Sequence, residues 1–296
     1  MNALEEILIK NSQPLLPIAT GVTPKAQKLA GIRAVLFDVY GTLFISGSGD
    51  VGTATAIDTA EALTQALVVS GFQGDLERAG ELGIEMLKGE ILEWHRAGRE
   101  TGVEFPEVEI TKIWKKIIET LCQTEALKKC DVEMDQIRRL GIEYECRVNP
   151  VYPMPGCLET LRQLRETGLV LGIVSNAQFY TPLLFSSFFG LSIEALGFDP
   201  ECCIWSYKEL KAKPSTDLFS KAGRFLEKNH SIRLSETMYV GNDMLNDIYT
   251  ASRSGCRTVL FAGDDRSLRL RENDDRCSGL KPDAVVTSLD QLPGLV

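Results

Sequence analysis

Several short apolar runs in this 296-residue chain stop abruptly at a carboxylate, hydroxyl or amide, and helix-length segments separate them. Ala34–Phe37 runs straight into Asp38, with Tyr40, Gly41 and Thr42 close behind. The run at 169–174 ends in Ser175-Asn176, and the run at 238–240 ends in Gly241-Asn242-Asp243-Met244-Leu245-Asn246-Asp247. Further strands are expected near 202–205, 257–262 and 284–287. Between them Leu158, Leu161 and Leu164 have helical spacing, as do Leu218, Phe219, Ala222, Phe225 and Leu226 after Lys213-Pro214. Strands alternating with helices form a parallel sheet covered on both faces. The fold class is therefore α/β, with a Rossmann-like doubly wound parallel sheet. Such sheets bind ligands beyond the carboxyl ends of their strands. Three polar strand ends on one edge thus mark a candidate site.

A different pattern interrupts this one. Ala56, Ala60, Leu63 and Leu67 have helical spacing, and so do Ile84, Leu87, Ile91 and Trp94. Ile110, Ile113, Trp114, Ile117, Ile118 and Leu121 form a full apolar stripe, and a weaker helix is expected over 131–144. This stretch reads as an inserted all-helical cap domain, bounded by a glycine-rich hinge and by Pro150, Pro153 and Pro155. The hinge holds a formal G-x-G-x-x-G at Gly47–Gly52. A dinucleotide fingerprint must follow a strand directly, and here residues 38–46 intervene. The expected division is an N-terminal extension over 1–31, an α/β core over 32–46 and 152–296, and a helical cap over 47–151. Pro14, Pro17 and Pro24 make the extension an irregular arm on the surface.

Charge narrows the function. The net charge is -9 and the pI about 5.0, without a dense Lys/Arg run, which argues against nucleic acid as a partner. No apolar run is long enough for a membrane span, and the first thirty residues lack a signal-peptide core. The eight cysteines form no C-x-x-C pair and there are two histidines, so zinc is poorly supported and reduced thiols in the cytoplasm are expected.

Asp38, Asp243 and Asp247 would meet at the sheet edge. Three close carboxylates repel unless a cation neutralises them, and an all-oxygen cluster suits Mg²⁺. Lys213 adds a positive charge able to pair with a substrate phosphate. Ser175 and Thr42 offer hydroxyl donors, with Asn176 beside them. The set suits phosphoryl transfer, where positioning and charge neutralisation dominate, with Asp38 as the nucleophile.

In these segments the chain resembles the haloacid dehalogenase-like hydrolase superfamily from about Ile32 to its C-terminus. Asp38-Val39-Tyr40-Gly41-Thr42 is similar to the first motif, Ser175 to the second and Lys213 to the third. Asp243-Met244-Leu245-Asn246-Asp247 is similar to the fourth, and the helical insertion to a C1-type cap. The resemblance implies Asp38 as the covalent nucleophile. It implies Mg²⁺ held by Asp38, the Tyr40 carbonyl, Asp243 and Asp247, and a small phosphorylated substrate.

Two departures matter. Phosphatases of the family usually carry a second aspartate two residues after the nucleophile, as general acid. Here that residue is Tyr40, a poor acid with a reference pKa of about 10. Acyl phosphates or anhydrides, which leave without protonation, are the substrates such a loop would favour. Asn242 also stands where a Gly-Asp order is more usual. Tyrosine at the first position is what 2-haloacid dehalogenases carry, so a metal-independent dehalogenase is the alternative. Those enzymes use a cap-proximal arginine, and no Lys or Arg occurs from Ala34 to Glu77. A degenerate site that binds a phosphorylated ligand and regulates a partner is a third reading. Each residue alone also has a simpler explanation, as turn, cap or solvated surface. His95 and Arg96 fit a solvated helix face, Trp114 fits a core, and Asp264-Asp265 and Asp274-Asp275 fit a solvated loop.

Overall fold

A computed structural model describes residues 2–48, 56–128, 131 and 133–296. In chain order its elements are α1 (Ala3–Asn11), β1 (Ala34–Phe37), β2 (Phe44–Ser46), α2 (Ala56–Val69), α3 (Leu76–Glu100), α4 (Ile110–Gln123) and α5 (Met134–Val148). Then come β3 (Val151–Pro153), α6 (Cys157–Glu166), β4 (Val170–Ser175), α7 (Thr181–Phe189), β5 (Phe198–Trp205), α8 (Ser206–Glu209) and α9 (Asp217–His230). β6 (Thr237–Gly241), α10 (Thr250–Arg253), β7 (Arg257–Phe261) and β8 (Ala284–Val286) complete the chain.

The main sheet has the order β5-β4-β1-β6-β7-β8, and every neighbouring pair is parallel. β1 lies inside it, and all four of its residues are fully buried. It reads as a continuous apolar run because both faces of a parallel sheet are covered. Val35 and Phe37 pack with Leu161 and Leu164 of α6 and Leu184 and Phe185 of α7. Ala34 and Leu36 face the other way, onto Leu218, Phe219, Ala222 and Leu226 of α9. The period-two alternation of one strand thus supplies two cores.

The helices α2 to α5 have a third core of their own. Leu63 and Leu67 of α2 meet Ile113, Trp114, Ile117, Ile118 and Leu121 of α4, and Ile137 and Leu140 of α5. A short antiparallel ribbon of β2 and β3 closes the base of this inserted helical region, with Phe44 opposite Pro153 and Ser46 opposite Val151. Neither strand is visible in the sequence pattern, because three residues are too few to show a period. The expected hinge at Gly47–Gly52 lies mostly outside the described residues.

The N-terminal extension is not wholly irregular. Residues 3–11 form α1, started by a capping box in which Asn2 Oδ1 accepts from the Leu4 and Glu5 amides and Glu5 accepts from the Asn2 amide. α1 packs against both α5 and α7. Asn11 donates to Glu143 of α5 at 3.1 Å, and Ser186 of α7 donates to Glu5 at 2.7 Å. Farther on, Lys25 pairs antiparallel with Val285 at the sheet's edge. The four prolines and glycines of 14–24 obscure a helix that lies wholly before them. α7 is likewise absent from the sequence reading. No helix among the described residues is long and apolar enough to cross a membrane.

Candidate functional site

β1 stops at Asp38, whose amide donates to Val240 O of β6 at 2.9 Å. The chain then turns tightly at Gly41, which has φ +76. A Cβ there would sit 2.6 Å from Ser267, so glycine is needed for both the turn and the approach of the 264–271 loop. That loop docks on the end of β6. The Arg269 amide donates to Asn242 O at 3.0 Å, and the Met244 amide donates to Arg269 O at 2.8 Å.

Lys213 lies under this edge and is buried. Its backbone is held by Asn176, whose Oδ1 accepts from the Lys213 amide at 2.8 Å. Its ammonium donates to Asp38 Oδ1 at 2.7 Å, Asp247 Oδ1 at 2.5 Å and the Tyr239 hydroxyl at 2.9 Å. Three donors thus meet three oxygens, which a buried ammonium requires. Burial alone would lower the lysine's pKa, but Asp247 and Asp38 outweigh it and hold Lys213 above its ordinary range. Burial pushes Asp247 up to about 6, with Asp38 and Asp243 adding to the shift and Lys213 opposing it. The two shifts pull differently: the lysine is held charged by its acid neighbours, whereas burial favours the protonated form of Asp247, and the short contacts to Lys213 are what keep that carboxylate in the pair. Asp247 Oδ2 accepts from the Asp243 amide at 2.9 Å, which fixes the carboxylate across the turn. Gly241 makes room for it, since a Cβ there would lie 2.4 Å from Asp247 Cγ.

Asp243 is differently engaged. Its Oδ1 accepts from the Leu245 and Asn246 amides, capping the π-helical turn Met244–Tyr249. Arg271 grips both of its oxygens, through Nε at 3.2 and 3.1 Å and Nη2 at 2.5 Å. The third carboxylate of the expected cluster is therefore neutralised by a guanidinium. Among the described residues no group of three His, Cys, Asp or Glu side chains is arranged to hold a metal ion. The donors do not fit a Mg²⁺ centre as they stand. Asp247 is occupied by Lys213 and Tyr239, Asp243 by Arg271, and Asp38 alone keeps an oxygen outside these contacts.

A cavity of about 80 Å³ opens onto the group. Asp38, Tyr40, Asn176, Lys213, Asp243 and Asp247 line it, together with Ser46, Asn242, Asn246 and Arg269. Thr42 and Ser175 do not. Thr42 is buried and donates to Asn242 Oδ1 at 3.1 Å, and Ser175 donates weakly to Asn176 O at 3.3 Å. Tyr40 turns its hydroxyl to Thr181, 2.9 Å away, and burial raises the phenol's pKa above its usual value.

Arg269, Arg271 and Tyr239 escape the sequence reading. The first two lie in a charged loop that reads as solvated surface, and Tyr239 lies inside an apolar strand. Asp264 belongs to the same loop and is also not solvated. It is buried and accepts from the Ile18 amide at 3.0 Å and from Arg266 at 2.9 Å, tying the N-terminal arm to the loop. Of the remaining candidates, Trp114 is core and Arg96 pairs with Glu93 and Glu100 on an exposed face. His95 is half-buried and lines a separate cavity. Cys202 and Cys203 are buried free thiols in β5, and burial pushes Cys202 up to about 12.

A parallel sheet with an inserted helical region, and an aspartate at the end of an interior strand paired to a buried lysine, define a class. A profile described as haloacid dehalogenase-like hydrolase matches residues 32–255, and the chain belongs to that family. Among curated proteins it is similar to a ribulose-1,5-bisphosphate 5-phosphatase of Halopiger xanaduensis, at 26% identity over 77% of this chain and 91% of that one. Among solved structures it is similar to a 2-haloacid dehalogenase from Pseudomonas syringae pv. Tomato DC3000, with a TM-score of 0.52 at 20% identity, covering 89% of this chain and 97% of that chain. A HAD phosphatase from Thermococcus onnurineus gives 0.50 at 20% identity over the same shares. The structural matches share the fold.

Proposed function

We propose that the protein hydrolyses a small phosphorylated metabolite, with Asp38 as the nucleophile. The carboxylate attacks phosphorus, the bond to the leaving-group oxygen breaks, and an aspartyl-phosphate forms. Water then cleaves that intermediate, releasing inorganic phosphate and restoring the carboxylate. The departing alkoxide or carboxylate takes any proton it needs from solvent, since the Tyr40 phenol is bonded to Thr181 and weakly acidic.

The position of positive charge carries this reading. Lys213 and Arg269 line the same small cavity as Asp38. In phosphoryl transfer the negative charge sits on the reacting group itself, so cations beside the nucleophile stabilise it. A haloacid also needs a basic group for its carboxylate, away from the carbon under attack. No lysine or arginine is found among the described residues lining the larger cavity at His95. The curated phosphatase relative supports the same choice. Family membership supports Mg²⁺ use, whereas in this structure Arg271, Lys213 and Tyr239 already hold the other two acids. The test is phosphate release from acetyl phosphate and a panel of phosphomonoesters by the protein and by Asp38→Asn. Loss of turnover in the variant is expected, and full activity would exclude Asp38 as the nucleophile.

A further inference from the structure

The cavity at Asp38 is small. About 80 Å³ holds a few waters or a phosphoryl-sized group, not the organic part of a metabolite as well. A second cavity of about 410 Å³ has a wall in side-chain contact with this one. One side-chain contact joins the two linings directly, and a second does so through a chain neighbour. Ser46, on the first cavity, donates at 2.8 Å to Asn149, on the second. Tyr40, on the first, is bonded to Thr181, whose neighbour Tyr180 lines the second. The second cavity lies between α3, α4 and α5 on one side and the loop after β4 on the other. That is where the organic part of a substrate held at Asp38 would extend.

Its chemistry is one-sided. Glu107 and Glu145 line it, with no lysine or arginine among the described lining residues. Glu107 accepts from Ser206 at 2.7 Å, from the Val108 amide at 2.9 Å and from Gln178 at 3.4 Å, and Glu145 accepts from Asn149 at 3.1 Å and from the Tyr180 hydroxyl. A carboxylate offers about four acceptor sites, so both keep acceptor capacity. Burial pushes both carboxyls above their ordinary range, a cost that a ligand's donor would offset. Burial and Arg99 lower the His95 pKa, which favours a neutral ring facing the cavity. Trp114 and Tyr144 add aromatic surface that attracts cations.

We propose that this cavity receives the substrate's leaving group, and that the group donates hydrogen bonds and carries no negative charge, as an amino alcohol or polyol does. A leaving group bearing a carboxylate or a second phosphate would meet two acids and no base. The inference rests on the phosphoryl reading above. It is tested by competition against acetyl phosphate hydrolysis, where inhibition reports binding and leaving-group basicity does not enter. Phosphoethanolamine or glycerol 3-phosphate is expected to inhibit at least about tenfold more tightly than phosphoglycolate, and the tighter of the two identifies ammonium or hydroxyl as the donor. Glu145→Gln should shrink that ratio severalfold. If the variant does not fold, the ratio in the unaltered protein decides. Equal or tighter inhibition by phosphoglycolate would overturn the inference and leave the phosphoryl reading standing. If acetyl phosphate is not hydrolysed, calorimetric titration with the same three compounds decides the binding order, while the phosphoryl reading alone fails.

Discussion

Replacing Lys213 with methionine isolates the strongest interaction in the site. The ammonium is buried between Asp38 and Asp247, at 2.7 and 2.5 Å, and nearly all of its surface is hidden, as is that of both acids. Methionine fills a similar volume, so the change removes charge more than packing. Deleting one partner of a buried ion pair costs about 3–5 kcal/mol, because the other partner is left uncompensated. Here two acids are left. The loss should depend on pH. Asp247 has a folded pKa of about 6, above its ordinary 3.8. A raised carboxyl contributes stability that is fully present below the unfolded value and lost as pH rises through the folded one. Lys213 opposes that rise, so its removal moves the transition higher still. At pH 5 Asp247 is mostly protonated in both proteins, and the deficit should fall to about half its value at pH 7.5. Urea unfolding of both proteins at the two pH values measures this. A deficit under about 1 kcal/mol at pH 7.5, or one equal at both pH values, would refute the shared-lysine account.

Three further outcomes are expected. Arg271→Gln releases the Asp243 carboxylate, so Mg²⁺ should bind the variant at least about tenfold more tightly by calorimetry; equal affinities would mean that the guanidinium does not compete with the ion. Tyr40→Phe loses one hydrogen bond to Thr181, at a cost of about 1 kcal/mol in chemical unfolding. Its turnover of acetyl phosphate should stay within about threefold, whereas a hundredfold fall would place the phenol in the proton transfer. Gly241→Ala forces a methyl against Asp247, so both stability, by about 1–3 kcal/mol, and turnover should fall. Unchanged melting would show that the β6 end can yield.

The sheet was legible because its strands are buried on both faces and interrupted by polar ends. β1, β4 and β6 could be placed from apolar runs alone, and Asp38, Lys213 and Asp247 followed from what stands beside them. The helices of the insertion were legible for the same reason, since the stripe on α4 is a face of its core. What stayed hidden has no period. Arg269 and Arg271 act through the docking of an irregular loop, and only the register of that loop on β6 brings Arg271 to Asp243. The sequence spacing of Asp243 and Asp247 suggested a shared ligand pair. In the fold the adjacent backbone turns one toward Lys213 and the other toward Arg271. Tyr239 looks like strand filler until its hydroxyl meets the lysine. The second cavity could not be read at all, because Glu107, Glu145 and Tyr180 come from segments that only the packing of the helices on the core brings together.

In the proposed reaction the Asp38 carboxylate attacks phosphorus and not a halogen-bearing carbon. Inorganic phosphate released from acetyl phosphate and halide released from 2-chloropropionate can be measured on one preparation, with Mg²⁺ and with a chelator. Phosphate release that Asp38→Asn abolishes is expected, with no halide. Halide release in the chelator without phosphate release in either condition would contradict it.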